Sequence, residues 1–355
     1  MKILFISLGC DKNLADSETM LGLLASRGYQ IVDTEEDADV IIVNTCCFIH
    51  DAMEESIETI LQMAEYKKSG SLKALIVTGC MAERYREEIT KEIPEVDAVL
   101  GTASYGHILD AVDGALAGQS YLKMEPLDTL PLVNTHRMVT TGGHYAYLKI
   151  AEGCDKHCTY CIIPKLRGNF RSVPMEHLLR EAKQLADDGV KEINLVAQET
   201  TLYGKDLYGE KKLPELLRRL CKIGGIRWIR ILYCYPEEIT EELIQTIKEE
   251  PKICHYLDLP IQHASDDVLK RMGRRTSKEE LIHIISRIRE EIPDITLRTT
   301  LITGFPGESK EQHEELMDFV DEMAFDRLGV FTYSAEDGTP AAQMPDQVEK
   351  SVKEA

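Results

Sequence analysis

Short apolar runs alternate with amphipathic ones along most of the chain. In residues 1–125, KILFISLG, DVIIVNT, KALIVTG and DAVLG are nearly continuous apolar runs of strand length. Between them, residues 16–27 place Met20, Leu21 and Leu24 at helical spacing and stop at Gly28. Residues 51–64, 83–92 and 105–117 read as further helices. Strands apolar on both sides, each followed by a helix, predict a parallel sheet covered on both faces.

From residue 144 the alternation resumes. It predicts strands at 145–150, 192–197, 228–233, 255–259, 296–302 and 328–333, with helices at 175–188, 213–222, 237–249, 278–291 and 309–323. Six βα units suit an open, partial (β/α) barrel, with chemistry at the carboxyl ends of its strands. The size of the first part suits a small flavodoxin-like α/β domain. Residues 126–143 lack periodicity and carry two prolines and a Gly-Gly pair, which marks a connector. The predicted division is therefore 1–125, a linker at 126–143, and 144–355.

The chain has 355 residues, with 43% hydrophobic and 29% charged, a globular composition. No apolar run reaches the ~18 residues of a membrane span. Met1 leads straight into a strand without a basic leader, so the expectation is a cytoplasmic protein with no membrane association. Formal net charge is −20, and both predicted domains are negative on balance. Such a chain repels a phosphate backbone on average and favours a basic protein partner over nucleic acid. In a cytoplasmic chain, ten cysteines point to metal or redox chemistry rather than disulfides.

Three cysteines, Cys154, Cys158 and Cys161, share one short loop, GCDKHCTYC, directly after the first barrel strand. Soft thiolates select iron–sulfur clusters, zinc or copper(I). Three ligands leave a four-iron cluster one short, and an iron without a protein ligand is open to substrate or cofactor. Zinc with His157 or a remote residue as fourth ligand is the alternative, as is a fortuitous cluster. No second paired cysteine or histidine motif accompanies the loop.

A second set is spread over the first domain. ISLGC, IIVNTC and LIVTGC each deliver a cysteine at the carboxyl end of a strand: Cys10, Cys46 and Cys80. That edge is where open α/β sheets bind ligands, and adjacent parallel strands lie only ~4.8 Å apart. Isolated buried cysteines are common core residues, but three at equivalent strand ends suggest a second cluster. Cys221, Cys234 and Cys254 lack partners at ligand spacing and read as packing residues.

The cysteine loop, with Tyr160 before its last cysteine, resembles the radical S-adenosylmethionine (SAM) enzymes. SLGCDKNLADSE, NTCCFIHDAMEESI and VTGC resemble the N-terminal domain of the methylthiotransferases within that superfamily. The likeness extends over nearly the whole chain, with Asp11 where proline is usual and Cys47 where glycine is usual. It implies two 4Fe-4S clusters, one on Cys154, Cys158 and Cys161 with SAM at its open iron, and an auxiliary one on Cys10, Cys46 and Cys80. CIIPKLRG, AQETTLYG and RMGRRT are similar to the branch that adds a methylthio group to the β-carbon of an aspartate in ribosomal protein S-twelve. The implied partners are that protein and an electron donor such as flavodoxin, acting on a monomeric enzyme. The branch that modifies tRNA adenosine is the alternative, and a non-enzymatic cluster carrier a remoter one. The expectation is a chain without the family's small C-terminal β-barrel (TRAM) after the barrel.

Polar residues at other strand ends are candidate SAM contacts: Gln198 and Glu199 after the second barrel strand, and the turn Gly304, Gly307, Glu308 after the fifth. The resemblance adds Tyr160 to this set. His263 is a candidate for substrate contact or a structural histidine. Lys165 and Arg167 either guide an anion or are solvated, and the same holds for the basic run at 271–276.

Overall fold

The computed structural model describes residues 1–130, 132 and 136–353. Part of the predicted connector, at 131 and 133–135, lies outside the described residues. The chain forms two compact units: Met1–Gly142 together with Ile163–Asn169, and Gly143–Ile162 together with Phe170–Ala355.

The first unit runs β1 (Lys2–Ser7), α1 (Asp11–Ser26), β2 (Gln30–Val32), β3 (Val40–Thr45), α2 (His50–Lys68), β4 (Ala74–Gly79), α3 (Cys80–Tyr85), α4 (Glu87–Glu92), β5 (Ala98–Leu100), α5 (Ile108–Leu116) and β6 (Tyr121–Lys123). A further short helix, α6 (Ile163–Arg167), packs into this unit from later in the chain. All six strands are parallel, in the order β2-β1-β3-β4-β5-β6. The first five have the flavodoxin-like order, whose switch point lies between β1 and β3.

Every residue of β3 and β4 is buried, as the apolar runs required. Val40, Ile42, Ala74 and Ile76 face Met20 and Leu24 of α1 and Ile108 and Val112 of α5. The alternate residues Ile41, Val43, Leu75 and Val77 are equally buried on the other face, where α2 packs against β3 and β4. β2 and β6 were not predicted. Each has three partly exposed residues on the sheet edge, too few to show a period. The helix predicted at 83–92 is two, broken at Arg86 with φ 46°. There Arg86 pairs with Glu83, whose other carboxylate oxygen accepts from the Thr102 amide at 3.1 Å.

The second unit runs β7 (Tyr145–Lys149), β8 (Ala151–Glu152), β9 (Arg171–Ser172), α7 (Met175–Asp187), β10 (Glu192–Val196), α8 (Lys205–Tyr208), α9 (Leu213–Cys221), β11 (Trp228–Ile231), α10 (Glu241–Glu249), β12 (Ile253–Asp258), α11 (Asp266–Arg271), α12 (Lys278–Glu291), β13 (Thr296–Thr303), α13 (Lys310–Met323), β14 (Arg327–Thr332) and α14 (Lys350–Lys353). Six strands form one parallel sheet, ordered β14-β13-β12-β11-β10-β7, with β7 and β14 as its edges. These are the six predicted barrel strands, and α7, α9, α10, α12 and α13 are the five predicted helices. Serine caps fix two of the starts. Ser277 with Glu280 and Ser309 with Gln312 form capping boxes at α12 and α13. The small antiparallel pair β8–β9 brackets the cysteine loop.

Candidate functional site

In the first unit, Cys10 lies three residues beyond β1, Cys46 directly follows β3, and Cys80 directly follows β4. These strands are consecutive neighbours around the switch point. The loops are built for close approach. Gly9 has φ 88°, and a Cβ there would stand 2.8 Å from Cys46 Cβ and 3.0 Å from its sulfur. Gly79 has φ 95°, and a Cβ there would lie 2.4 Å from Asn44 Oδ1. Only glycine serves at such positions.

Asn13 of α1 ties the edge together. Its Nδ2 donates to Leu8 O at 3.0 Å and Thr45 O at 2.9 Å, the carbonyls that precede Cys10 and Cys46. Its Oδ1 accepts from Arg167 and lies 3.9 Å from the Cys80 sulfur. Ser56 of α2 holds both the amide and the carbonyl of Cys46, at 3.0 and 2.8 Å.

Cys46 and Cys80 are buried, and Cys10 is exposed. Burial pushes the Cys80 thiol up to about 12, and the neighbouring sulfurs of Cys46 and Cys10 add to the rise. Cys46 is likewise raised, by burial first. Thiolates so disfavoured form only against strong positive charge, which iron supplies. Among the described residues no three histidine, cysteine, aspartate or glutamate side chains meet around a single ion. A four-iron cluster requires no such point, because each thiolate binds a different iron. The donor set, soft, convergent and open on the Cys10 side, fits such a cluster. Cys47 is fully buried beside Cys80 and hydrogen-bonds Arg84.

In the second unit the loop 153–161 sits at the carboxyl end of β7. Gly153 and His157 take positive φ, 77° and 52°. Thr159 pins the loop to the end of α11: its amide donates to Met272 O at 2.9 Å and its hydroxyl to Arg271 O at 2.8 Å. Cys154 and Cys158 are buried, Cys161 half-buried. Burial raises Cys154 to about 11, with Cys158 contributing. Three thiols on one pinned loop again fit a cluster with an open iron.

A buried charged network borders this loop. Lys156 Nζ stands 2.5 Å from Glu238, 3.2 Å from Glu237 and 3.7 Å from Glu199. Burial raises Glu199 to about 7, against the pull of Thr201 and Lys156. Arg274 lies over the Tyr235 ring at 4.3 Å, and Lys156 over the same ring at 4.9 Å. The Tyr235 hydroxyl is 3.9 Å from the Cys158 sulfur.

Within this unit several buried polar atoms, in the loops after strands and in the loop after α11, have no hydrogen-bond partner: Gln198 Oε1, Glu199 Oε2, Glu237 Oε2, Gln262 Oε1, and Nε and Nη1 of Arg274. Native proteins leave few such atoms unless a ligand completes them. Tyr233 and Gln262, also at strand ends, take positive φ of 59° and 72°, the strain found at functional sites. The donors and acceptors match a zwitterionic ligand such as an amino acid.

The predicted contacts therefore divide. Gln198 and Glu199 lie in this network. Gln198 donates to Glu152 at 3.0 Å, which places it beside the start of the cysteine loop. Tyr160 packs with Val268, Met272, Phe305 and Tyr333. Glu308 is buried in bonds of its own, accepting from the Phe305 amide at 2.9 Å and lying 3.4 Å from His263 and 3.2 Å from His313. The space a Cβ would take at Gly307 is held by Arg271, and at Gly304 by Lys353. His263 is a buried histidine bonded to the Ser265 amide. Lys156, Tyr235, Glu237 and Asn13 were not predicted. ILYCYPEE, as a polar strand end, was the available signal for Tyr235 and Glu237. Cys234 is buried against Thr200, as a packing residue would be.

Comparison with known proteins supplies the relatives. Residues 2–101 match a family described only as uncharacterized protein family UPF0004, and residues 148–320 match the radical SAM superfamily. The ribosomal protein uS12 methylthiotransferase RimO of Lachnoclostridium phytofermentans is 67% identical over 355 residues, covering 100% of this chain and 81% of that protein. The protein of the same name from Clostridioides difficile is 52% identical over 353 residues, covering 99% of this chain and 80% of its own length. Among solved structures, the radical SAM methyltransferase TsrM of Kitasatospora setae, with cobalamin and a [4Fe-4S] cluster bound, aligns with a TM-score of 0.66 at 12% identity. It covers 96% of this chain and 76% of that one. The cobalamin-dependent radical SAM enzyme OxsB aligns with a TM-score of 0.63 at 14% identity, covering 96% of this chain and 54% of that one. These likenesses concern the fold.

Proposed function

The chain belongs to the radical SAM methylthiotransferases that modify ribosomal protein uS12, and on that premise we propose how its own residues divide the work. The enzyme is a transferase that uses SAM and two 4Fe-4S clusters. Cys154, Cys158 and Cys161 hold the cluster at which SAM binds, and Cys10, Cys46 and Cys80 hold the auxiliary one. When bound, these groups supply the electron, the 5′-deoxyadenosyl radical and the methylthio group that replaces a hydrogen on the β-carbon of an aspartate. An electron donor such as flavodoxin serves the reaction. The enzyme acts as a monomer in the cytoplasm, without binding nucleic acid.

The observation that carries the assignment in the second unit is the set of buried polar atoms around Lys156 and Arg274 that lack a hydrogen-bond partner. Glu199 and Gln198 accept the amino group of SAM. Arg274 donates Nε and Nη1 to its carboxylate, and the Tyr235 ring beneath the guanidinium orients it for that contact. Lys156 holds Glu237 and Glu238 in place behind it. Tyr160 and Phe305 exclude water from one side, which protects a reactive carbon centre from side reactions. In the first unit, Gly9, Gly79, Asn13 and Ser56 hold three thiols in fixed positions, so that the sulfur to be transferred is presented without reorganisation.

The test is a turnover assay. The reconstituted protein, SAM and a reductant are incubated without oxygen with purified protein uS12 or, in a parallel reaction, with unmodified tRNA, and each substrate is digested and analysed by mass spectrometry. A gain of one methylthio group on one aspartate, with 5′-deoxyadenosine formed, is expected. Modification of tRNA adenosine instead would move the chain to the other branch. SAM cleavage with neither product would refute the substrate assignment.

A further inference from the structure

Arg167 stands six residues after Cys161, yet it is a member of the first unit. Sequence left it either solvated or guiding an anion. Its side chain is 2% exposed. Nη1 donates to Asp16 Oδ2 at 2.8 Å, and Nη2 donates to Asn13 Oδ1. The guanidinium also hydrogen-bonds the Cys80 sulfur, and its charge favours the thiolates of both Cys80 and Cys46. The segment that carries it is tied down by Thr102, whose hydroxyl donates to Leu166 O at 2.6 Å.

A buried guanidinium is costly unless its surroundings compensate it. Asp16 supplies one negative charge. Three thiolates around iron supply more, and an electron added to that centre makes it more negative by one further charge. Net charge and hydrogen bonds to sulfur are the protein's means of tuning a cluster's potential.

We infer that Arg167 is a positioning residue of the auxiliary centre: its guanidinium fixes Cys80 and, by its charge, raises the reduction potential of the cluster on Cys10, Cys46 and Cys80. Asp16 opposes it, so the pair sets the potential between them. Arg84, a further cation near these sulfurs, hydrogen-bonds Cys47, and the buried Lys12 pairs with Asp11 at 2.9 Å. This inference rests on the cysteine assignment made under Proposed function.

The test uses the full chain with Cys154→Ala, Cys158→Ala and Cys161→Ala, so that only the auxiliary cluster contributes to the spectrum. Iron content is measured first. No bound iron in this parent would refute the cysteine assignment itself. With iron bound, the midpoint potential is read by electron paramagnetic resonance in a redox titration. Arg167→Gln is expected to lower the potential, Arg167→Lys to leave it near the parent's, and Asp16→Asn to raise it. Loosened packing would not move the two neutralising variants in opposite directions. Potentials that stay put, or that shift the same way in both, overturn the inference. Should Arg167→Gln fail to fold by circular dichroism, the Arg167→Lys and Asp16→Asn pair decides it: Asp16→Asn must rise while Arg167→Lys does not.

Discussion

Replacing Asn13 by alanine should uncouple the auxiliary edge from α1. Asn13 is fully buried and bonds through both ends of its amide. The substitution removes donors from Leu8 O and Thr45 O and an acceptor from Arg167. Each neutral bond contributes about 1 kcal/mol net, and the charge-assisted one about 2 kcal/mol. The sum is roughly 4 kcal/mol, and a transition of a unit of about 150 residues moves about 2–4 °C per kcal/mol. The assay is calorimetry of the metal-free protein, with an expected fall of about 8–16 °C in the transition of the first unit. Iron bound in the Cys154→Ala, Cys158→Ala, Cys161→Ala background should fall as well, because Cys10 and Cys46 lose their common tie. Asn13→Asp separates the terms: it retains a partner for Arg167 and loses both carbonyl bonds. A shift under ~1 kcal/mol in Asn13→Ala, or unchanged iron in that background, would refute the reasoning.

Three further outcomes follow from the geometry. Gly79→Ala places a Cβ 2.4 Å from Asn44 Oδ1 at φ 95° and should destabilise the first unit by about 3 kcal/mol, checked by denaturant titration; a neutral result would mean the loop re-forms elsewhere. Arg274→Met should weaken SAM binding about 10- to 100-fold in equilibrium dialysis, the value of a charge-assisted bond, and unchanged affinity would remove Arg274 from the ligand site. Glu199 has a folded pKa raised by burial to about 7 from 4.5, so its neutral form contributes stability that is full below about 4.5 and lost as pH rises through about 7. Relative to the parent, metal-free Glu199→Gln should therefore gain up to about 3 kcal/mol between pH 5 and pH 8, and a pH-independent difference would contradict the burial argument.

The two sheets were legible because their strands are continuous apolar runs, a signal that survives without knowledge of neighbours. Edge strands β2 and β6 were not, since three half-exposed residues carry no period. The grouping of the cysteines was legible, through spacing on one loop and through repeated strand-end position in the first unit, while their role as ligands stays the proposal made above. What surrounds them was not. Lys156 and Glu199 lie far apart in sequence and meet only because consecutive parallel strands bring their loops together. Arg167 illustrates the limit best: its neighbours in sequence suggest the second cysteine loop, and its partners Asp16 and Asn13 belong to α1. A polar residue's role depends on partners that one-dimensional pattern does not report. The Gly304–Glu308 turn shows the converse. Its sequence suggests an open glycine loop, whereas Arg271 and Lys353 lie against its glycines and Glu308 is engaged by two histidines.

The central claim is two separate three-cysteine centres, and counting iron tests it most directly. Anaerobic reconstitution followed by iron and sulfide analysis should give about eight irons per parent chain and about four in the Cys154→Ala, Cys158→Ala, Cys161→Ala variant. About four irons in the parent and none in the variant would mean that Cys10, Cys46 and Cys80 hold no cluster, and would contradict the account.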